Sequence, residues 1–247
     1  MTVYETLREV RQRRGAGFLV LLDPDRLETE RLANLGEQCA QSDVDALLVG
    51  SSLLLSLRFQ EVLEKIKERV ELPLIIFPGN MAQISRHADA ILYLSLISGR
   101  ASQHLIEQQV RAAPLIKEIG IEPISTGYLL VDSGRLTSVQ YMSDSLPIPR
   151  DKPDIAKAHA LAAQYLGMKL LFMDAGSGAV QTVPKEMIQA VDAYVSLPLV
   201  VGGGIREPRV AEEKVRAGAD FVVVGNAFEV KGSPGRLKEF AAAIHNR

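Results

Sequence analysis

Two short stretches, Val200-Val201-Gly202-Gly203-Gly204-Ile205 and Val222-Val223-Val224-Gly225-Asn226-Ala227, place glycines directly after runs of apolar residues. Glycine lets a backbone approach a ligand closely and take positive φ without steric cost. With a helix starting just beyond each turn, free amide N–H groups gather at a helix N-terminus, which is an anion site. Two such turns in succession at the end of an α/β chain match the phosphate site made by the last two βα loops of a (β/α)8 barrel. A phosphorylated ligand is therefore expected.

A further apolar run ends in Phe172-Met173-Asp174-Ala175-Gly176-Ser177-Gly178-Ala179. A carboxylate beside an anion-binding turn repels phosphate unless it meets another part of the ligand. A hydroxyl is the natural partner, which Asp174 would orient and deprotonate; a solvent-facing turn aspartate is the alternative. Earlier in the chain, Asp23-Pro24-Asp25-Arg26 and Gly50-Ser51-Ser52 end two more apolar runs. Asp23 is a hard oxygen ligand and Ser52 offers another, and Mg2+ is commonly held by one or two protein oxygens plus substrate phosphates and water. The alternatives are a cap or turn for Asp23, a role Asp25 fits better because Pro24 already ends the strand, and a helix cap for Ser52.

The elements that must position these residues can be read from periodicity. Apolar runs at 18–22, 46–49, 74–77, 90–94, 124–130, 169–173, 199–201 and 221–224 read as strands, several of them buried on both faces. Helical patterns fill 28–41, 55–70, 105–119, 155–166, 184–195, 208–217 and 234–245, with Gly120, Gly167 and Gly218 as stops. The third gap, 78–89, is too short for a full helix. Eight βα cycles without a linker predict one (β/α)8 TIM barrel over residues 1–247. Residues 128–154 exceed an ordinary βα loop and read as a lid or substrate wall, or as a plain insertion.

Bulk properties narrow the class. The net charge of −2 gives no electrostatic case for nucleic acid. A single cysteine, Cys39, excludes a disulfide framework and a multi-cysteine metal site and fits a reducing compartment. Residues 1–14 read as an amphipathic helix with Val3, Leu7 and Val10 on one face, without the apolar core of a signal peptide. No apolar run reaches the ~20 residues of a membrane span. A soluble, cytoplasmic-type protein is expected, and contact with a membrane surface stays open.

The segment Pro147-Ile-Pro-Arg-Asp-Lys-Pro-Asp154, followed by Ala160 through Ala179, resembles the geranylgeranylglyceryl phosphate synthase family. Leu22-Asp23-Pro24-Asp25, Val49-Gly50-Ser51-Ser52, Phe77-Pro78-Gly79-Asn80 and the two C-terminal glycine turns extend the resemblance over nearly the whole chain. It implies a modified barrel with an irregular third helical position and transfer of a prenyl group, such as geranylgeranyl, from its diphosphate to the 3-hydroxyl of sn-glycerol 1-phosphate. This is the first ether bond of archaeal-type lipids. It further implies Mg2+ at Asp23 and Ser52, and a glycerol phosphate site at Phe172, Met173, Asp174, Ala175, Gly176, Ser177, Gly178, Gly203, Gly204, Gly225 and Asn226. Asp174 takes the place of the family's usual glutamate as proton acceptor, Phe172 that of a tyrosine, and Tyr128 matches a tyrosine near the reacting centre. A homo-oligomer, dimer or hexamer, is also implied.

The leucine-rich stretches at 53–57 and 94–97 could line a groove for a polyprenyl tail, or serve ordinary packing. Two rival readings share the glycine turns. One is a phosphosugar isomerase or synthase, which leaves the Arg150-Asp151-Lys152-Pro153 segment unexplained. The other is a non-catalytic phosphate-ligand or lipid-binding barrel, suggested by Phe172 and Asp174.

Overall fold

Each of the eight apolar runs becomes a strand with both faces covered. In the computed structural model, which describes residues 1–228 and 234–245, these are β1 (Gly17–Leu22), β2 (Ala46–Val49), β3 (Leu74–Ile76), β4 (Ala90–Leu96), β5 (Glu122–Leu130), β6 (Leu170–Asp174), β7 (Leu199–Gly202) and β8 (Phe221–Val224). All pair in parallel and in chain order, and β8 returns to β1 from Gly17↔Phe221 to Val20↔Val224, closing the barrel. Side chains alternate across each strand. Leu19, Leu48, Ile75, Leu92, Phe172 and Val223 pack together in the barrel interior. Phe18, Leu47, Leu171, Met173 and Val222 belong to the separate layer between barrel and helices.

Helix α1 (Val3–Arg14) floors the barrel. A reciprocal Thr2–Glu5 capping box starts it, and Leu7 packs into the interior cluster. The Val3 amide donates to Glu122 Oε2 at 2.6 Å, and Arg11 Nε meets Asp220 Oδ1 at 2.6 Å. The outer ring continues with α2 (Thr29–Ala40), α3 (Phe59–Lys67), α4 (Gln108–Ile119), α5 (Ser138–Ser143), α6 (Pro153–Tyr165), α7 (Lys185–Asp192), α8 (Pro208–Arg216) and α9 (Pro234–Ile244). Gly120, Gly167 and Gly218 all take positive φ just past a helix, as expected of helix stops.

The third helical position holds only a 3₁₀ turn, Met81–Gln83, matching the short gap. Elsewhere the structure departs from the sequence reading. The helix expected from residue 55 begins at Phe59, because Asp25 Oδ2 accepts the Leu55 amide at 2.7 Å and holds the preceding leucines in a loop. Asp25 is thus a loop-to-loop tether rather than a helix cap; the residue at the start of α2, Glu28, makes no side-chain cap. A π-helical turn, Gln103–Glu107, leads into α4. The long 128–154 segment is an ordered excursion, carrying α5 and returning to the sheet by a Val131↔Ile148 bridge.

Two acids tie the floor helix, Glu122 through the Val3 amide and Asp220 through Arg11. Asp220 is buried, and its second oxygen accepts the Leu199 amide at 2.8 Å. Asp220→Ala should therefore lose about 2–3 kcal/mol in urea unfolding, and Asp220→Asn should recover part of that loss. An unchanged midpoint for the alanine variant would remove Asp220 as the tether.

Candidate active site

A cavity of about 650 Å3 opens at the C-terminal ends of the strands, the catalytic end of such barrels. Gly203 and Gly204 turn away from β7 with φ of +85° and +72°. At Gly203 the left-handed backbone is not the sole reason for glycine. A Cβ there would lie 2.5 Å from Asp174 Oδ1 and 2.7 Å from the Ala175 amide nitrogen. Among the described residues, the amides of Gly178, Gly203 and Gly204 have no acceptor. They border the cavity together with Asn226 and Arg206. Ser177 Oγ donates to Asn226 Oδ1 at 3.2 Å and so links the turns after β6 and β8. Free amides with a guanidinium beside them are the kind of donors that an anion would need.

The helix starts expected at these turns are only partly present. Helix α8 begins at Pro208, after Glu207, so Gly203 and Gly204 stand one short loop ahead of it. After Gly225 the chain makes a turn closed by the Phe228 amide on Gly225 O at 3.1 Å. Residues 229–233 lie outside the described residues.

Asp174 ends β6 at the cavity wall, almost fully buried. The Tyr128 hydroxyl donates to its Oδ2 at 2.6 Å, and the Gly176 amide donates to Oδ1 at 2.9 Å. Among the described residues it has no salt-bridge partner. Burial raises its pKa above the ordinary 3.8, while the bonds from Tyr128, Gly176 and Ala175 oppose that rise. The same burial, with the adjacent carboxylate, holds the Tyr128 hydroxyl protonated far above its usual range. Tyr128 is fixed by rings: Phe172 meets it edge-on at 5.6 Å, and Phe77 is tilted against it at 6.0 Å and stacked on Phe172 at 5.0 Å.

At the opposite wall, Asp23 Oδ1 accepts the Asp25 amide at 3.0 Å. Its Oδ2 has only long contacts, to Ser51 Oγ at 3.4 Å and Arg26 Nε at 3.7 Å. Burial is the main cause that raises its pKa above the ordinary value. Among the described residues, the neighbouring Asp25 Oδ1 is buried without a partner. A partly desolvated carboxylate, an orphaned carboxylate oxygen and nearby hydroxyls are a hard oxygen set into which a cation such as Mg2+ fits.

Of the residues singled out in the sequence, Asp23, Ser52, Tyr128, Phe172, Asp174, Ser177, Gly178, Gly203, Gly204, Gly225 and Asn226 line this one cavity. Ser52 shares the wall with Asp23, but the hydroxyl in contact with that carboxylate is Ser51. Three placements are corrected. Met173 and Ala175 are buried in the outer layer, on the far side of β6 from the cavity. Gly176 does not line it, and its amide is spent on Asp174. Sequence reasoning missed Ser51, Phe77 and Arg206. Arg206 had a signal, since it directly follows the glycine turn; Phe77 had one as an aromatic at a strand end.

Comparison with known proteins accords with this geometry. The model of the PcrB family matches residues 8–244. The chain belongs to that family. A protein of Chitinophaga pinensis named geranylgeranylglyceryl phosphate synthase is 44% identical, over 98% of this chain and 96% of its own length. One of the same name from Thermococcus gammatolerans is 45% identical over 87% of this chain and 84% of its own length. The crystal structure of (S)-3-O-geranylgeranylglyceryl phosphate synthase from Thermoplasma acidophilum, in complex with its substrate sn-glycerol-1-phosphate, superposes with a TM-score of 0.92 at 33% identity, covering 99% of both chains. The resemblance read from the motifs therefore holds over the whole fold.

Gly203 tests the anion turn directly. Gly203→Ala should cost about 1–3 kcal/mol of stability and weaken inorganic phosphate binding, measured calorimetrically, by about tenfold or more. Unchanged phosphate affinity in a folded variant would move the anion site elsewhere.

Proposed function

We propose that this protein is a prenyltransferase that joins a prenyl diphosphate, geranylgeranyl diphosphate in the first instance, to the 3-hydroxyl of sn-glycerol 1-phosphate. It works with Mg2+, in the cytoplasm, as a homo-oligomer (a dimer or hexamer). Exposed Tyr165, Leu166 and Tyr194, away from the cavity mouth, offer apolar surface for subunit contact. The observation that carries the reading is Asp174: a buried carboxylate with no counter-cation among the described residues, beside the glycine turn and across one cavity from Asp23. The names of the relatives and the glycerol phosphate complex of the Thermoplasma protein support it.

The free amides of Gly178, Gly203 and Gly204 take the phosphate of the acceptor, assisted by Arg206. This leaves the glycerol 3-hydroxyl toward Asp174. Each carboxylate oxygen of Asp174 accepts one described bond and keeps capacity for another, so the acid can hold the hydroxyl and take its proton. Asp23, with Ser51 and Ser52 beside it, would hold Mg2+, which when bound neutralises charge on a departing diphosphate. The C1–O bond to diphosphate breaks with its electron pair leaving on the diphosphate. The glycerol oxygen forms the new bond to C1, and its proton passes to Asp174. The prenyl tail lies along the flank of the barrel, where Ile84, Ile91, Ala112 and Ile116 line the far part of the cavity.

The test incubates the protein with sn-glycerol 1-phosphate, Mg2+ and a ladder of prenyl diphosphates, with the sn-3 enantiomer and omission of Mg2+ as controls. An ether product confined to the sn-1 enantiomer is expected. Saturable glycerol phosphate binding with no product from any donor would instead identify a non-catalytic binding barrel. Asp174→Asn should lower kcat by about 10²–10⁴-fold while acceptor binding persists.

The raised pKa of Asp174 sets a pH dependence. The base acts only when ionised, so kcat/KM should fall as pH drops through that pKa, with the acid limb above the ordinary aspartate value. Tyr128→Phe removes a bond that lowers the pKa, so the limb should move further up. A limb at the ordinary carboxylate value in both proteins would exclude Asp174 as the base.

A further inference from the structure

The excursion after β5 is tied to the turn after β6. The Gln181 amide donates to Ser133 O at 3.1 Å. Arg150 Nη1 donates both to Asp132 O at 2.9 Å and to Thr182 O at 2.8 Å, so one arginine holds the two loops together. The start of the excursion is also fixed within itself. Ser133 Oγ donates to Arg135 O at 2.8 Å, and the Gly134 amide donates to Asp132 Oδ1 at 3.0 Å.

This pinned backbone delivers the Arg135 side chain to Gly178. A Cβ on Gly178 would lie 3.1 Å from Arg135 Nη2, so the guanidinium rests against a turn that presents only backbone. Arg135 is exposed, and among the described residues its guanidinium has neither a hydrogen bond nor an ion pair. The Gly178 amide beside it has no acceptor among the described residues and borders the cavity, as do those of Gly203 and Gly204. An unpaired guanidinium next to free amides is a donor set of one kind. Its planar fork matches phosphate oxygens, and its bonds to them are charge-assisted.

We propose that Arg135 is a ligand to the acceptor phosphate, carried to the glycine turn by the excursion after β5. Arg135 is not part of the cavity lining itself; it reaches a phosphate held at the Gly178 amide by rotation of its exposed side chain. Arg206 meets the same turn from the other side of the chain order, donating from Nη2 to Ala179 O at 3.0 Å. The assignment rests on the acceptor site proposed above, and binding of bare phosphate tests it apart from the reaction.

The experiment titrates inorganic phosphate into the full chain by calorimetry at low and high salt, for wild type, Arg135→Met and Arg135→Lys. Methionine keeps an unbranched apolar stem at Gly178 and removes the charge. Arg135→Met should bind phosphate about tenfold more weakly and with a shallower salt dependence. Arg135→Lys should recover part of the affinity as a point charge. In turnover, Arg135→Met should raise KM for sn-glycerol 1-phosphate, with kcat and the prenyl diphosphate KM near those of wild type. Equal phosphate affinity in wild type and a folded Arg135→Met overturns the proposal, and a weaker Gly203→Ala in the same series would then leave the glycine turn standing without Arg135. A rise confined to the prenyl diphosphate KM also overturns it, by assigning the guanidinium to the donor. Absence of phosphate binding by the wild type overturns both this proposal and the acceptor site beneath it. Phosphate binding that depends on Arg135, without any ether product, would overturn the reaction and keep Arg135 as a phosphate ligand.

Discussion

Among the described residues no cation stands beside Asp174, a carboxylate buried at the end of a barrel strand, so its hydrogen bonds come from neutral donors, and the mouth of this barrel is arranged around that requirement. Asp174 pairs in register with Leu130 on β5, and Tyr128, two residues earlier on the same face, brings its hydroxyl to Oδ2. The second oxygen is served by the Gly176 amide, presented from a backbone with φ of +88°. Gly203, on the next turn, has no Cβ because that atom would collide with Oδ1. Two of the glycines first read as phosphate ligands thus answer to the acid. Gly203 serves both, exposing its amide to the cavity while making room for Asp174. Gly176 serves Asp174 alone.

The same constraint explains how this chain accommodates its departures from the family pattern. Where the resemblance leads one to expect tyrosine and glutamate, the chain has Phe172 and Asp174. Phe172 keeps the aromatic ring, which stacks on Phe77 and meets Tyr128 edge-on. The shorter acid sits close to its own strand, within reach of Tyr128 and the Gly176 amide. The remaining polar group of that wall is therefore the Tyr128 hydroxyl, held protonated by burial and by the acid it bonds.

Strand positions were legible because buried parallel strands are short apolar runs bounded by turn residues, and the C-terminal ends of such strands are where a barrel collects its reacting groups. Asp23, Asp174 and Gly203 were found on that basis and Tyr128 through the family resemblance, and they share one cavity. What the sequence withheld was facing. When both faces of a strand are apolar, alternation no longer tells inside from outside. Hence Phe172 and Met173 read alike, although one lines the cavity and the other packs against helices. Long-range polar partners were equally hidden. Nothing near Asp25 in the chain announces that its carboxylate takes the amide of Leu55, and that bond is what replaces the first turn of the expected helix with an outward-facing leucine loop.

The shortened third βα unit gives the cavity its second end. A 3₁₀ turn stands in place of a helix after β3, and the cavity runs past Ile91 and Tyr93 on β4 to Ala112 and Ile116 on α4. Its lining is accordingly divided: carboxylates, hydroxyls and free amides over the barrel axis, aliphatic side chains along the flank. That division orients an amphipathic ligand without any contact specific to its chain. A diphosphate turned into the flank would lose its hydration to aliphatic walls, and a hydrocarbon over the axis would leave Asp23 and the free amides unpaired, and each error costs several kcal/mol at the order-of-magnitude level. For the proposed donor, one orientation alone avoids both penalties, and it is the one that brings the diphosphate end of the chain toward Asp23 on one side and the acceptor hydroxyl at Asp174 on the other.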